Sequence, residues 1–177
     1  MALKPTIYKA NVNIVDMNRD IYATEKLTLA LHPSETATRM MVRLLAYVIN
    51  YDTDLSFTKG LSSTDEPDLW IVRPEGTVDC WIEVGQASTE RLRKAVSRAE
   101  KIRLYAYGSE TEIWWSKQGG DISGLPKTEV FQLPAEQVDP LAEICDRNMD
   151  LTITLSEEQL FISAGEQQFE VSIHRLV

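Results

Sequence analysis

An α+β fold with a mixed β-sheet flanked by helices follows from three features of this chain. Both ends alternate apolar and polar residues over long runs, and two inner segments space their apolar residues at the helical period. Strands and helices also interleave without strict βαβ alternation. Residues 5–15 and 21–31 alternate well (Ile7, Val12, Ile14; Ile21, Leu27, Leu29, Leu31) and predict two antiparallel strands around Met17-Asn18-Arg19-Asp20. His32-Pro33-Ser34 stops the second strand and offers Ser34 as the cap of a helix over about 35–51. Its buried face is Met40, Met41, Leu44, Leu45 and Val48.

Residues 59–67 are polar and predict a loop. Two apolar runs then flank Pro74-Glu75-Gly76-Thr77, a β-hairpin signal in which glycine supplies the turn. A two-residue loop at Glu75-Gly76 sets Trp70 opposite Trp81 and Asp68 opposite Glu83. Ser88 or Thr89 caps the next helix, with Leu92, Ala95, Val96 and Ala99 on its apolar side. Further strands are predicted over 102–107, 111–115 and 128–133, with a turn at Gly119-Gly120 and a helix over 135–147. From Leu151 the chain alternates through turns at 156–159 and 164–167, which predicts an antiparallel meander.

The chain has 177 residues, 44% hydrophobic and 25% charged, enough apolar surface for one sizeable core. Residues 1–177 are expected to form a single domain, since there is no repeat and no long linker. No apolar run reaches the roughly 18 residues of a membrane span, and no signal sequence is seen, so a cytoplasmic protein without a membrane partner is expected. Cys80 and Cys145 then read as reduced thiols. The net charge of −9 argues against a general nucleic-acid binder. Residues 86–105 nevertheless carry +4 and residues 139–177 carry −6, so a basic patch of small footprint sits on an acidic body.

The hairpin concentrates the chemistry. Directly opposed residues bring Cβ atoms about 4.5–5.5 Å apart, and like charges there destabilise the sheet. Solvent, a raised carboxyl pKa or a divalent cation must offset the repulsion, so Asp68 and Glu83 read as a candidate carboxylate metal site. On the following helix Arg91, Lys94, Arg98 and Lys101 fall at i, i+3, i+7 and i+10, a basic stripe opposite the apolar face. Walker, Gly-x-Gly-x-x-Gly, Gly-x-Ser-x-Gly and Cys-x-x-Cys sequences are absent, which leaves nucleotide hydrolysis, dinucleotide redox, esterase and zinc chemistry unsupported.

Several motifs in one order resemble a known family: His32-Pro33-Ser34-Glu35-Thr36 with Met40-Met41, Asp65-Glu66-Pro67-Asp68, Trp81-Ile82-Glu83-Val84-Gly85, and Arg91-Leu92-Arg93-Lys94-Ala95. Together with Met-Ala-Leu-Lys at the start and Trp114-Trp115, they look like the YaeQ proteins of bacteria along essentially the whole chain. The resemblance implies a PD-(D/E)xK nuclease-like core with added N- and C-terminal antiparallel strands. It implies that Pro67-Asp68 and Glu83 correspond to the metal-binding acids, with Glu35 as the helical acid and Mg²⁺ as the cofactor.

This chain departs from the pattern at the lysine two positions after the second acid, where it has Gly85. Two substitutes are available: Gln86, turned by a bulge at Gly85 to orient water, or Lys94 from the next helix, with Arg91 and Arg98 holding phosphate. Two function classes stay open. One is Mg²⁺-dependent cleavage of nucleic-acid phosphodiesters. The other is a non-catalytic descendant of the fold that binds a protein or nucleic-acid partner through the same surface.

Overall fold

The computed structural model describes residues 4–59 and 65–177, so most of the loop expected over 59–67 lies outside the described residues. The chain divides into two compact units, Met1–Ile49 with Glu136–Ile173 and Asn50–Ala135 with His174–Val177. Each carries a mixed sheet, in place of the single sheet expected.

In the first unit the sheet order is β10-β9-β8-β1-β2. Strands β1 (Thr6–Asp16) and β2 (Ile21–Leu31) pair without a break from Thr6↔Leu31 to Asp16↔Ile21. Asp16, fully buried, closes the turn: its carboxylate accepts the backbone N–H groups of Asn18 and Arg19 at 3.0 Å and Arg19 Nε at 2.6 Å. Helix α1 (Ala37–Ile49) is buried at every position from Met40 to Val48. Its cap is Thr36, whose Oγ1 accepts Arg39 N–H at 3.1 Å, and not Ser34, which is held by His32 Nδ1 at 2.8 Å. The meander is present as β8 (Asn148–Ser156), β9 (Gln159–Ala164) and β10 (Gln167–Ser172), with β8 parallel to β1.

In the second unit the order is β11-β7-β6-β5-β4-β3, with β3 (Leu55–Phe57), β4 (Leu69–Val72), β5 (Val78–Val84), β6 (Ile102–Tyr107), β7 (Thr128–Leu133) and β11 (His174–Arg175). β5, β6 and β7 are parallel and are joined by α2 (Thr89–Val96) and α3 (Thr111–Ser123). Trp81, Leu92, Ala95, Ile102, Leu104, Trp114, Ile122 and Val130 form the core between these helices and the sheet.

Residues 111–115, expected as a strand, are the start of α3. Their β-favouring Thr, Ile and Trp yield to a longer spacing in which Thr111, Trp114, Gly119 and Ile122 are buried along one side. Gly119 is no turn: a Cβ there would lie 2.7 Å from the Trp115 ring, so glycine lets the indole lie flat on the helix. The helix expected over 135–147 is reduced to α4 (Ala135–Val138) and a 3₁₀ segment, Asp139–Ile144, because Pro140 withholds a donor.

The β4–β5 turn also differs from expectation. Gly76 N–H donates to Arg73 O and Arg73 N–H to Thr77 O, both at 2.8 Å, so the loop is Pro74-Glu75-Gly76, with Gly76 at φ 96°. A bulge between Ile71 and Val72 takes up the extra residue, and Ile71↔Cys80, Trp70↔Trp81 and Leu69↔Ile82 pair as expected. Arg73 anchors this end by gathering Asp52, Asp54 and Asp79 at 2.7–3.2 Å.

Candidate functional site

The paired register ends at Leu69↔Ile82, and Asp68 stands just before it, within electrostatic reach of Glu83. Asp68 N–H donates to Ile82 O at 3.0 Å, and Asp68 Oδ2 accepts Val84 N–H at 2.8 Å. Both side chains are buried. Asp68 and Glu83 are thus both buried near this end of the hairpin, and the surroundings of Glu83 show what offsets the repulsion.

Glu83 is met by a cation. Arg91 Nε lies 3.0 Å from both Glu83 oxygens, and Arg91 Nη2 lies 2.9 Å from Oε1. Trp81 Nε1–H donates to the same Oε1 at 2.8 Å. The Trp-x-Glu spacing makes this contact possible, because residues i and i+2 share one face of a strand. Arg91 Nη2 also reaches Glu66 O at 2.9 Å, tying the segment before Asp68 to the helix. Burial pushes the Glu83 carboxyl above its ordinary range and the Asp68 charge adds to this, while Arg91 and Trp81 hold it down.

The local sequence aims Arg91 this way. Gly85 takes φ 107° at the end of β5, a left-handed conformation that favours glycine. Ser88 then caps α2, its Oγ accepting Arg91 N–H at 3.1 Å, so Arg91 lies in the first turn with its side chain over the strand end. Thr89, at the same helix start, is braced by Gln118 Oε1 at 2.7 and 2.9 Å.

A cleft of about 330 Å³ opens beside Glu83, lined by Trp81, Arg91, Lys94 and Arg98 together with Asp65 and Glu90. Lys94 is exposed and forms no ion pair with a described residue. Arg98 lies just past the Ser97 C-cap and bonds Asp65 O at 3.3 Å, with Asp65 Oδ1 at 3.8 Å. The basic stripe is shorter than its spacing suggested. α2 ends at Val96, and Lys101 is directed to Glu129 at 4.0 Å, within the network that also holds Arg103 and Arg175.

Gln86 is placed elsewhere. Its Nε2 donates to Tyr107 O at 3.2 Å and Thr111 Oγ1 at 3.3 Å, latching the end of β6 to the start of α3. Glu35 belongs to the first unit, where Oε2 lies 2.8 Å from Arg39 Nη1 and Oε1 lies 2.6 Å from Arg43 Nη2.

These carboxylates do not fit a divalent cation as they stand. Glu83 gives both oxygens to Arg91, Glu35 gives one each to Arg39 and Arg43, and Asp68 gives Oδ2 to a backbone donor. Among the described residues, no three His, Cys, Asp or Glu side chains converge as a metal site would require. Arrangement and charge define a buried glutamate, with Asp68 near it, held by an arginine that lines a cleft of mixed charge.

The chain belongs to the YaeQ family: residues 1–173 match the sequence model of the YaeQ protein. It is 39% identical over 174 residues to the uncharacterised protein YaeQ of Salmonella typhi, covering 98% of this chain and 96% of that one. The corresponding protein of Escherichia coli K12 is 38% identical with the same coverage. The crystal structure of YaeQ from Xanthomonas axonopodis pv. citri superposes with a TM-score of 0.93 at 35% identity, over 97% of this chain and 98% of that one. That of YaeQ from Pseudomonas syringae gives 0.93 at 38%, over 98% and 96%. The family is thus the one the motifs resembled, and the mixed α+β fold is that of the YaeQ structures.

Proposed function

We propose that this protein is a non-catalytic descendant of the PD-(D/E)xK nuclease-like fold that binds a phosphate-bearing nucleic-acid partner through the cleft on α2. The observation that carries this reading is the Arg91–Glu83 contact. A guanidinium occupies the space in front of the second acid, and the position two residues on is Gly85, which has no side chain to activate water. Arg91, Lys94 and Arg98 nevertheless line one cavity, the charge arrangement that phosphate oxygens require. The acidic body restricts binding to this patch. A cytoplasmic location accords with two free cysteines.

The test is binding of a labelled single-stranded oligonucleotide by wild type and by Lys94→Ala and Arg98→Ala at several salt concentrations. Three participating cations give a log–log salt slope of about −2. Each variant is expected to weaken binding and flatten the slope. Binding that both variants leave unchanged overturns the proposal.

Mg²⁺-dependent phosphodiester cleavage is the second reading, and the buried, mutually repelling Asp68 and Glu83 favour it. It requires Arg91 to leave Glu83. Cleavage of oligonucleotide in Mg²⁺ or Mn²⁺ that is lost in Asp68→Asn and Glu83→Gln would establish it over the binding reading.

A further inference from the structure

We infer that the cleft recognises the terminal phosphomonoester of a nucleic-acid strand, in preference to the phosphodiesters along it; this rests on the binding reading above. The first ground is size. At about 330 Å³ the cavity stands at the lower end of small-ligand sites, roughly 300–1,000 Å³, room for one phosphorylated unit.

The second ground is how the positive charge is laid out. A protein that follows a strand needs a groove of repeated cations, with bases stacked along it. Here the cations are gathered on one helix end: Arg91, Lys94 and Arg98 line one cavity, Arg93 lines the adjoining hollow with Lys94, and Lys101 turns toward Glu129. Asp65 and Glu90 line the same cavity. A strand running through it would bring its neighbouring phosphates toward these carboxylates and toward a body of net charge −9. A strand end avoids most of that repulsion.

The third ground is the charge of the ligand. A phosphomonoester carries about −1.5 to −2 near neutral pH and three strong acceptor oxygens, whereas an internal diester carries a single charge. Two guanidiniums, one of them held by Glu83, and an ammonium line the cavity and offer donors to the three oxygens of the monoester. Arg91 is already oriented by Glu83 and by Glu66 O, so its position is set before a ligand arrives.

The experiment compares single-stranded thymidine hexamers bearing a 5′-phosphate, a 3′-phosphate or hydroxyls at both ends, by fluorescence anisotropy on the full chain. At least one phosphorylated form is expected to bind tenfold or more tightly than the hydroxyl-ended form. Lys94→Ala and Arg98→Ala should bring it down to the hydroxyl-ended level, and inorganic phosphate should compete. If all three hexamers bind equally and the variants weaken all of them alike, the binding reading stands and this inference is overturned. If no hexamer binds, or if only a phosphoserine peptide does, the nucleic-acid reading falls with it.

Discussion

Both units bury a glutamate against arginine, and the two arrangements differ in a way that separates scaffold from site. In the first unit Glu35 is gripped from two sides by Arg39 and Arg43 of α1, and its side chain and that of Arg43 are 2% and 4% exposed. Arg43 Nη2 also donates to Ala30 O at 2.9 Å, so one guanidinium ties helix to strand. In the second unit Glu83 is 5% exposed but its partner Arg91 is 31% exposed and faces a cleft. The first cluster is closed on itself. The second pairs a buried acid with a cation that solvent and ligand can reach.

Removing the arginine from each cluster should show this difference as the largest effect. Arg43→Met leaves Glu35 buried beside Arg39 alone and strips a donor from Ala30 O. A loss of about 3–5 kcal/mol is expected, the usual consequence of leaving a buried charge short of its partner. Arg91→Met leaves Glu83 near the cleft, where water can enter and the carboxyl can take up a proton, so the expected loss is smaller, about 1–3 kcal/mol. Urea denaturation of the two variants measures both. Equal losses, or a larger loss for Arg91→Met, would break the distinction between a closed cluster and an accessible one.

The second unit also buries groups that titrate in alkali, which gives a pH-dependent way to probe it. Burial pushes the Cys80 thiol from 9.0 up to about 11 and the Tyr105 hydroxyl from 10.0 up to about 12. In each case the folded state binds the proton more tightly than the unfolded chain does. The stability they contribute is present in full below the unfolded values and is lost as pH rises toward the folded ones. Cys80 alone should cost about 2 kcal/mol between pH 9 and pH 11. Thermal unfolding against pH should fall in that window, and Cys80→Ala should remove the part of the slope that begins near pH 9.

The same contrast explains what could be read in advance. The β1–β2 hairpin, α1 and the C-terminal meander were legible because their periods run long enough to outweigh single residues, as Val12, Ile14, Leu27 and Leu29 illustrate. The Trp70–Trp81 register was legible from the turn, although the loop is one residue longer than expected and a bulge absorbs the difference. Trp114-Trp115 misled because aromatic residues favour strands locally, whereas their packing around Gly119 is a tertiary fact. The Arg91–Glu83 contact was hidden for a similar reason. It depends on Gly85 turning the chain and Ser88 starting α2 so that the first turn folds back over β5. The division into two sheets could not be seen either, because β8 joins β1 across 139 positions of sequence, the separation of the Asn11–Asp150 pair.

The smallest expected effect is the most informative about the cleft. Lys94 is exposed, lines the cavity and forms no ion pair with a described residue, so its ammonium does little for the fold. Lys94→Ala should change unfolding free energy by less than about 0.5 kcal/mol, the range of surface substitutions away from special features. Alanine also favours the helix slightly, which offsets any lost contact of the lysine stem. Against Arg43→Met and Arg91→Met, this variant completes a gradient from scaffold to site: stability falls most where the cation is enclosed and least where it faces the cavity. If Lys94→Ala costs as much as Arg91→Met in urea denaturation, Lys94 is part of the structural clamp and not a cleft cation dispensable for folding. If the change stays within the small range, any effect of the variant on oligonucleotide binding comes from the ligand's contact with the ammonium rather than from a weakened fold.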